Sequence, residues 1–250
     1  MGVSRTVLLL GGTGRTGGRV LAQLLERGVA VRAIVRAAGR LPAEVRGHPR
    51  LAVVEAELLA LVPEDLRRHL EGCDAVISCL GHTISARGIF GPPFSLVTRA
   101  LSNVVDAVRK MAPARPVHVI LMSTVAAHRA GAKEAAHGAG QRLALWVLRQ
   151  LVPPARDNQR AADLLAREVG GGDPHVEWVA VRPDTLREGG VTAYALHESL
   201  VSSIFQPGET NMANVAHFMC ELACDPTAWT RWKGRMPVIV NADAEAAAAG

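Results

Sequence analysis

The stretch Thr6–Gly17, TVLLLGGTGRTG, reads as a short buried strand that runs into a glycine turn. TVLLL is continuously apolar, the pattern of a strand covered on both faces, as in a parallel sheet flanked by helices. Gly11, Thr13, Gly14, Arg15, Thr16 and Gly17 follow in an arrangement that reads G-x-x-G-x-x-G and, from Gly12, also G-x-G-x-x-G. Either pattern alone is weak. Here it closes a strand and opens the apolar helical stretch GGRVLAQLLERG, the context of a dinucleotide-binding turn. Glycines let the backbone approach closely, so that amide N–H groups and the positive end of a helix can hold a diphosphate.

Outward from this turn, strand and helix signals alternate. Strands are predicted at Val31–Arg36, Leu51–Glu55, Ala75–Leu80, Val117–Met122, Trp178–Val181 and Val238–Val240. Helical spacing runs over Phe94–Lys110 and Leu143–Leu151. A further helix is predicted to run from an Asp157 N-cap to about Val169, and another over Val215–Cys224 behind an Asn214 N-cap. Residues 126–141, rich in Ala, Gly and His, read as a loop or irregular helix. The alternation predicts right-handed βαβ units and an α/β fold of the Rossmann type, a doubly wound parallel sheet. One domain is expected over residues 1–250, with a small substrate-covering segment at about 184–235.

The choice between NAD and NADP lies at the end of the second strand. An NAD site places an acid there to take the ribose hydroxyls. No Asp or Glu occurs between Arg27 and Ala43; Arg36 stands at the strand end and Arg40 four residues on. A guanidinium fork matches the 2′-phosphate, so the cofactor expected is NADP(H).

Composition narrows the partners. Hydrophobic residues make up 49% of the 250 and aromatics 4%, so the core must be aliphatic. The net charge of +5 is dispersed, with no basic run interleaved with aromatics, which argues against a nucleic-acid partner. No apolar run is long enough to span a membrane and no secretory leader is recognised, so a cytoplasmic protein is expected, a monomer or small homo-oligomer. Cys73, Cys79, Cys220 and Cys224 form no C-x-x-C pair; they are expected to be reduced thiols in or near the core, with no metal site.

With these motifs in hand, the chain resembles the atypical short-chain dehydrogenase/reductase superfamily, in the NAD(P)H-binding branch that includes biliverdin-IXβ/flavin reductases and NmrA-like proteins. VLLLGGTGRTGGRV, the Arg ending VRAIVR, DAVISCLG, ILMST and WVAVRP carry the resemblance, from Thr6 to about Pro183. It implies that Glu57 and Leu58 lie near the adenine, Glu57 standing where members usually carry Asp. It implies that Leu80, Gly81 and His82 line the cofactor, that Ser123 approaches the nicotinamide, and that the Arg182–Thr185 stretch, Pro183 included, passes its carboxamide side.

The chain departs from the superfamily in one respect. Its common Tyr-x-x-x-Lys acid–base pair would fall at Ala155 and Gln159, and the only tyrosine, Tyr194, has Glu198 four positions on. The resemblance then implies an NADPH-dependent reductase of a conjugated or aromatic small molecule, such as a flavin, quinone, enone or bilin. Ser123 is the one candidate catalytic residue. The alternative is a non-catalytic NADP(H)-binding redox sensor of the NmrA-like kind.

Overall fold

The computed structural model describes residues 5–81, 94–128, 153–202 and 207–242. Eight strands form one sheet: β1 (Thr6–Leu10), β2 (Ala30–Val35), β3 (Leu51–Glu55), β4 (Ala75–Ser78), β5 (Val117–Met122), β6 (Val176–Pro183), β8 (Tyr194–His197) and β10 (Val238–Asn241). Their spatial order is β3-β2-β1-β4-β5-β6-β10-β8. All neighbours are parallel except β8, which runs antiparallel to β10. Two more short strands, β7 (Thr185–Arg187) and β9 (Glu209–Asn211), pair with each other in parallel.

The alternation of side chains along β1 explains the double winding. Val7 and Leu9 point into one core, with α1 (Arg15–Glu26) and α5 (Met212–Cys224) over it. Leu8 and Leu10 point into the other, beneath α2 (Pro63–Leu70), α3 (Leu96–Met111) and α4 (Pro153–Asp163). A short helix, α6 (Pro226–Trp232), closes the first core with Trp229 and Trp232, both buried as packing residues. The chain reverses direction of strand addition between β1 and β4. This is the crevice where open α/β sheets bind ligands.

Two predicted caps are corrected. Asp157 does not start its own helix: α4 is already helical at Pro153 and continues through a π-helical turn at Leu164–Val169. Its buried carboxylate instead caps α3, accepting bonds from Val97 N at 2.8 Å, Thr98 N at 3.1 Å and Thr98 Oγ1 at 2.6 Å. Asn214 likewise lies inside the first turn of α5, whose N-cap is Asn211. Its fully buried amide accepts from Thr192 N at 2.8 Å and donates to Asn241 Oδ1 at 2.8 Å. The predicted helix at Leu143–Leu151 lies outside the described residues.

The four cysteines are free thiols, three of them buried and Cys224 half-buried. Burial pushes Cys73 up to about 11 and Cys79 up to about 12, so both are inert thiols near neutrality.

At the opposite end of the sheet, the His118 ring stacks on Trp229 with centroids 3.8 Å apart. Burial pushes His118 down to about 4, from an ordinary value of 6.5, although nearby Glu177 opposes the shift. The folded state therefore keeps the ring neutral while the unfolded chain protonates it. This contribution is fully present above about pH 6.5 and is lost as the pH falls toward 4. After allowance for solvent screening, about 1–2 kcal/mol of stability should disappear over that window. Urea unfolding at pH 7 and pH 4.5 should show His118→Phe losing less stability than the wild type by that amount; equal losses would contradict it.

Candidate dinucleotide site

The glycine turn is built by close backbone approach. Gly11 sits at φ +82°, and a Cβ there would lie 2.6 Å from the Cys79 carbonyl oxygen at the end of β4. A Cβ on Gly17 would stand 2.1 Å from the Gly11 carbonyl oxygen. Only bare glycine allows the first turn of α1 to lie this close to the β1 exit. Gly14 N donates to Gly11 O at 2.9 Å, and α1 begins at Arg15.

Gly14 offers no side-chain cap, and the first turn of α1 carries no acid. Its opening amides are thus available to an anion, and the helix dipole favours one. Thr16 and Gly17 are buried in the turn, Thr13 is half-buried, and Gly14 and Arg15 are exposed.

Arg36 is exposed directly after β2, and Arg40 is exposed on the short 3₁₀ turn Ala38–Arg40. Two residues that the sequence reading did not single out shape this turn. Glu55, at the end of the adjacent edge strand β3, accepts from Ala38 N at 2.7 Å. Arg46 Nη2 donates to Gly39 O and Leu41 O, both at 2.7 Å. The basic turn is therefore held in place before any ligand arrives. Glu57 is exposed just beyond β3, and the Leu58 side chain packs into the core with Leu8 and Ile34. Leu80 is half-buried and Gly81 exposed after β4; His82 lies outside the described residues.

At the far side of the switch point, Ser123 follows β5 and Pro183 ends β6. Ser123 N donates to Val181 O at 2.8 Å, and Val125 N donates to Pro183 O at 3.2 Å, so the two strand ends are stitched together. Ser123 is buried, yet its Oγ finds no hydrogen-bond partner among the described residues. A buried hydroxyl without a partner is costly, and it is the kind of group a polar ligand satisfies.

The neighbouring polar residues are committed to structure. Asp184 Oδ1 accepts from Thr185 N at 2.7 Å and Oδ2 from Gly208 N at 3.0 Å and from Ser202 Oγ, which makes it a turn residue. Arg182 is buried and donates to the carbonyls of Met236 at 2.8 Å, Ala127 at 3.2 Å and Glu198 at 3.3 Å. Tyr194 shares a 2.9 Å hydrogen bond with His217 Nδ1 on α5. Gln159 on α4 accepts from His128 N and donates to His128 O, both at 2.9 Å.

The donor set suits a dinucleotide: an uncapped helix start over tightly packed glycines, a cationic turn beside β2, and, across the crevice, a buried hydroxyl without a partner among the described residues. A search against family models matches residues 11–226 to the family described as NAD(P)H-binding. The chain belongs to the NAD(P)H-binding family.

Among curated proteins, an uncharacterised chloroplastic protein of Arabidopsis thaliana is 27% identical over 219 residues, covering 81% of this chain and 73% of that protein. Among solved structures, a short-chain dehydrogenase/reductase from Veillonella parvula in complex with NADP is 14% identical. It superposes with a TM-score of 0.68 over 97% of each chain. A proposed NADH-flavin reductase from Streptococcus pneumoniae is 14% identical, with a TM-score of 0.64 over 95% of this chain and 99% of that one. At such identities the structural likeness establishes the fold alone, a Rossmann-like α/β architecture.

Among the described residues, no group of three or more His, Cys, Asp or Glu side chains is placed to hold a metal ion. No helix among them is long and apolar enough to cross a membrane.

Proposed function

We propose that this family member is an NADPH-dependent reductase that delivers a hydride to a conjugated or aromatic small molecule: a flavin, quinone, enone or bilin. The observation that carries the reading is Gln159. By resemblance it stands where the superfamily's lysine would, and both ends of its amide are spent on the His128 backbone. Ala155, in the tyrosine's place, has no ionisable group. An acceptor at this site would receive no proton from that pair. Conjugated acceptors suit such a site, because hydride addition is their demanding step and water can supply the proton.

The roles follow from position. The turn of Gly11, Thr13, Gly14, Arg15, Thr16 and Gly17 would seat the diphosphate, which would take its hydrogen bonds from the opening amides of α1, the Gly14 amide being spent on Gly11 O. Arg36 and Arg40 would pair with the 2′-phosphate, and Glu57 and Leu58 would border the adenine. Leu80 and Gly81 would line the cofactor, with Pro183 beside the nicotinamide. NADPH supplies a hydride when bound. The Ser123 hydroxyl would donate a hydrogen bond to the carboxamide or to the acceptor and so fix their mutual geometry.

NADPH oxidation followed across a panel of flavins, quinones, enones and bilins, with NADH in parallel, tests the reading. Steady turnover that prefers NADPH is the expected result. Tight NADPH binding without turnover on any acceptor would instead assign a redox-sensing role. In the same assays Arg36→Ala should raise the Kd for NADPH roughly tenfold to a hundredfold and leave NADH within about twofold. Equal losses for the two cofactors would refute the role given to Arg36.

A further inference from the structure

The start of α1 is not bare on its outer side. Glu188, 173 residues further along the chain, reaches back to it: its Oε1 accepts from Arg15 Nε at 3.1 Å and Arg15 Nη2 at 2.7 Å, while Oε2 accepts from Arg19 Nη2. One carboxylate thus bridges two guanidiniums on the first two turns of the helix. Arg15 is itself a member of the glycine motif.

The carboxylate is placed by the fold. Glu188 directly follows β7, which is pinned to β9 in the register Leu186↔Thr210 and Arg187↔Asn211. After it comes Gly189, at φ +154°, where a Cβ would lie 2.7 Å from the Asn211 amide nitrogen. Asn211 Nδ2 also donates to Gly190 O at 3.2 Å. The chain on both sides of Glu188 is therefore tied to β9 and its end. The hydrogen bond from Arg15 holds the Glu188 carboxyl below the usual carboxylate range, so it is ionised at neutral pH.

We propose that Glu188 is a resident anion of the dinucleotide site, which the diphosphate must displace from Arg15 in order to bind. This rests on the dinucleotide reading of the glycine turn and adds an affinity-setting residue to it. A fixed negative charge beside an anion site opposes a second anion, and its partner guanidinium cannot serve both at full strength. Arg19 would keep Glu188 paired after Arg15 moves to the ligand, so the exchange leaves no carboxylate stranded. Because the diphosphate is common to both cofactors, Glu188 should weaken NADPH and NADH binding alike, in contrast to Arg36.

The test is equilibrium titration of the whole protein with NADPH and with NADH, for wild type and Glu188→Gln, at low and at high salt. Glu188 is largely exposed, so the variant should fold as the wild type does. The expected result is a Kd lowered roughly threefold to tenfold for both cofactors at low salt, shrinking at high salt. If the wild type binds and Glu188→Gln binds equally or more weakly, Glu188 orients Arg15 or does nothing, and the inference is overturned while the dinucleotide reading stands. If neither protein binds either cofactor, the dinucleotide reading fails and takes the inference with it.

Discussion

Replacing Gly17 with alanine is expected to reduce NADPH affinity at least a hundredfold and to destabilise the fold by about 2–3 kcal/mol. The added methyl would have to occupy a point 2.1 Å from the Gly11 carbonyl oxygen and 3.2 Å from Cys79 Cβ. Neither neighbour is a flexible side-chain end. Relief must come from moving α1 away from the exit of β1, which also moves the opening amides away from the diphosphate. Gly171→Ala provides the control, since no atom lies within 4 Å of a Cβ at that position. It should change neither quantity. Titration with NADPH alongside urea unfolding checks both numbers, and a Gly17→Ala protein with wild-type affinity would show that the turn does not seat the ligand.

The second large effect is expected at Asp157. Its carboxylate collects two backbone amides and one hydroxyl at the start of α3, in a buried position. Asp157→Ala would strand those donors without water, a loss of about 3 kcal/mol in urea unfolding. Asp157→Asn keeps an acceptor oxygen and should lose less. The consequence reaches the site, because Asp157 docks α4 on α3 and Gln159, two residues on, holds the His128 backbone downstream of Ser123. Reduced turnover at temperatures where the variant remains folded would be the functional counterpart. A loss under about 1 kcal/mol would show that the cap is dispensable.

The parts of this molecule legible in the sequence are those whose signals are local. TVLLL, the glycine turn and the apolar runs of β2 to β6 each declare themselves within a dozen residues, and together they specify the sheet and its crevice. Arg36 was legible because an acid is missing over a defined stretch. Asp157 and Asn214 were misassigned for a common physical reason. Their residue types mark caps, but a cap's target is a matter of space: Asp157 serves a helix some sixty residues earlier, and Asn214 binds Thr192 and Asn241.

The strands β7, β8 and β9 are three or four residues long and too short for a periodic signal. Glu55 and Glu188 escaped notice because their roles depend on pairings across the fold. Ser123 was legible as a strand-end hydroxyl, whereas its unsatisfied state depends on what surrounds it in three dimensions.

In the proposed reaction the crevice between the glycine turn and Ser123 brings NADPH and a conjugated acceptor together for direct hydride transfer. The most direct measurement uses NADPH carrying deuterium on the transferred position of C4, with an enone acceptor in ordinary water. The expected result is deuterium on carbon in the reduced product, hydrogen from solvent at the adjacent carbon, and the same yield of label with Ser123→Ala at a lower rate. Reduced product free of deuterium, or NADPH held tightly while the enone returns unchanged along with every other acceptor, would contradict it.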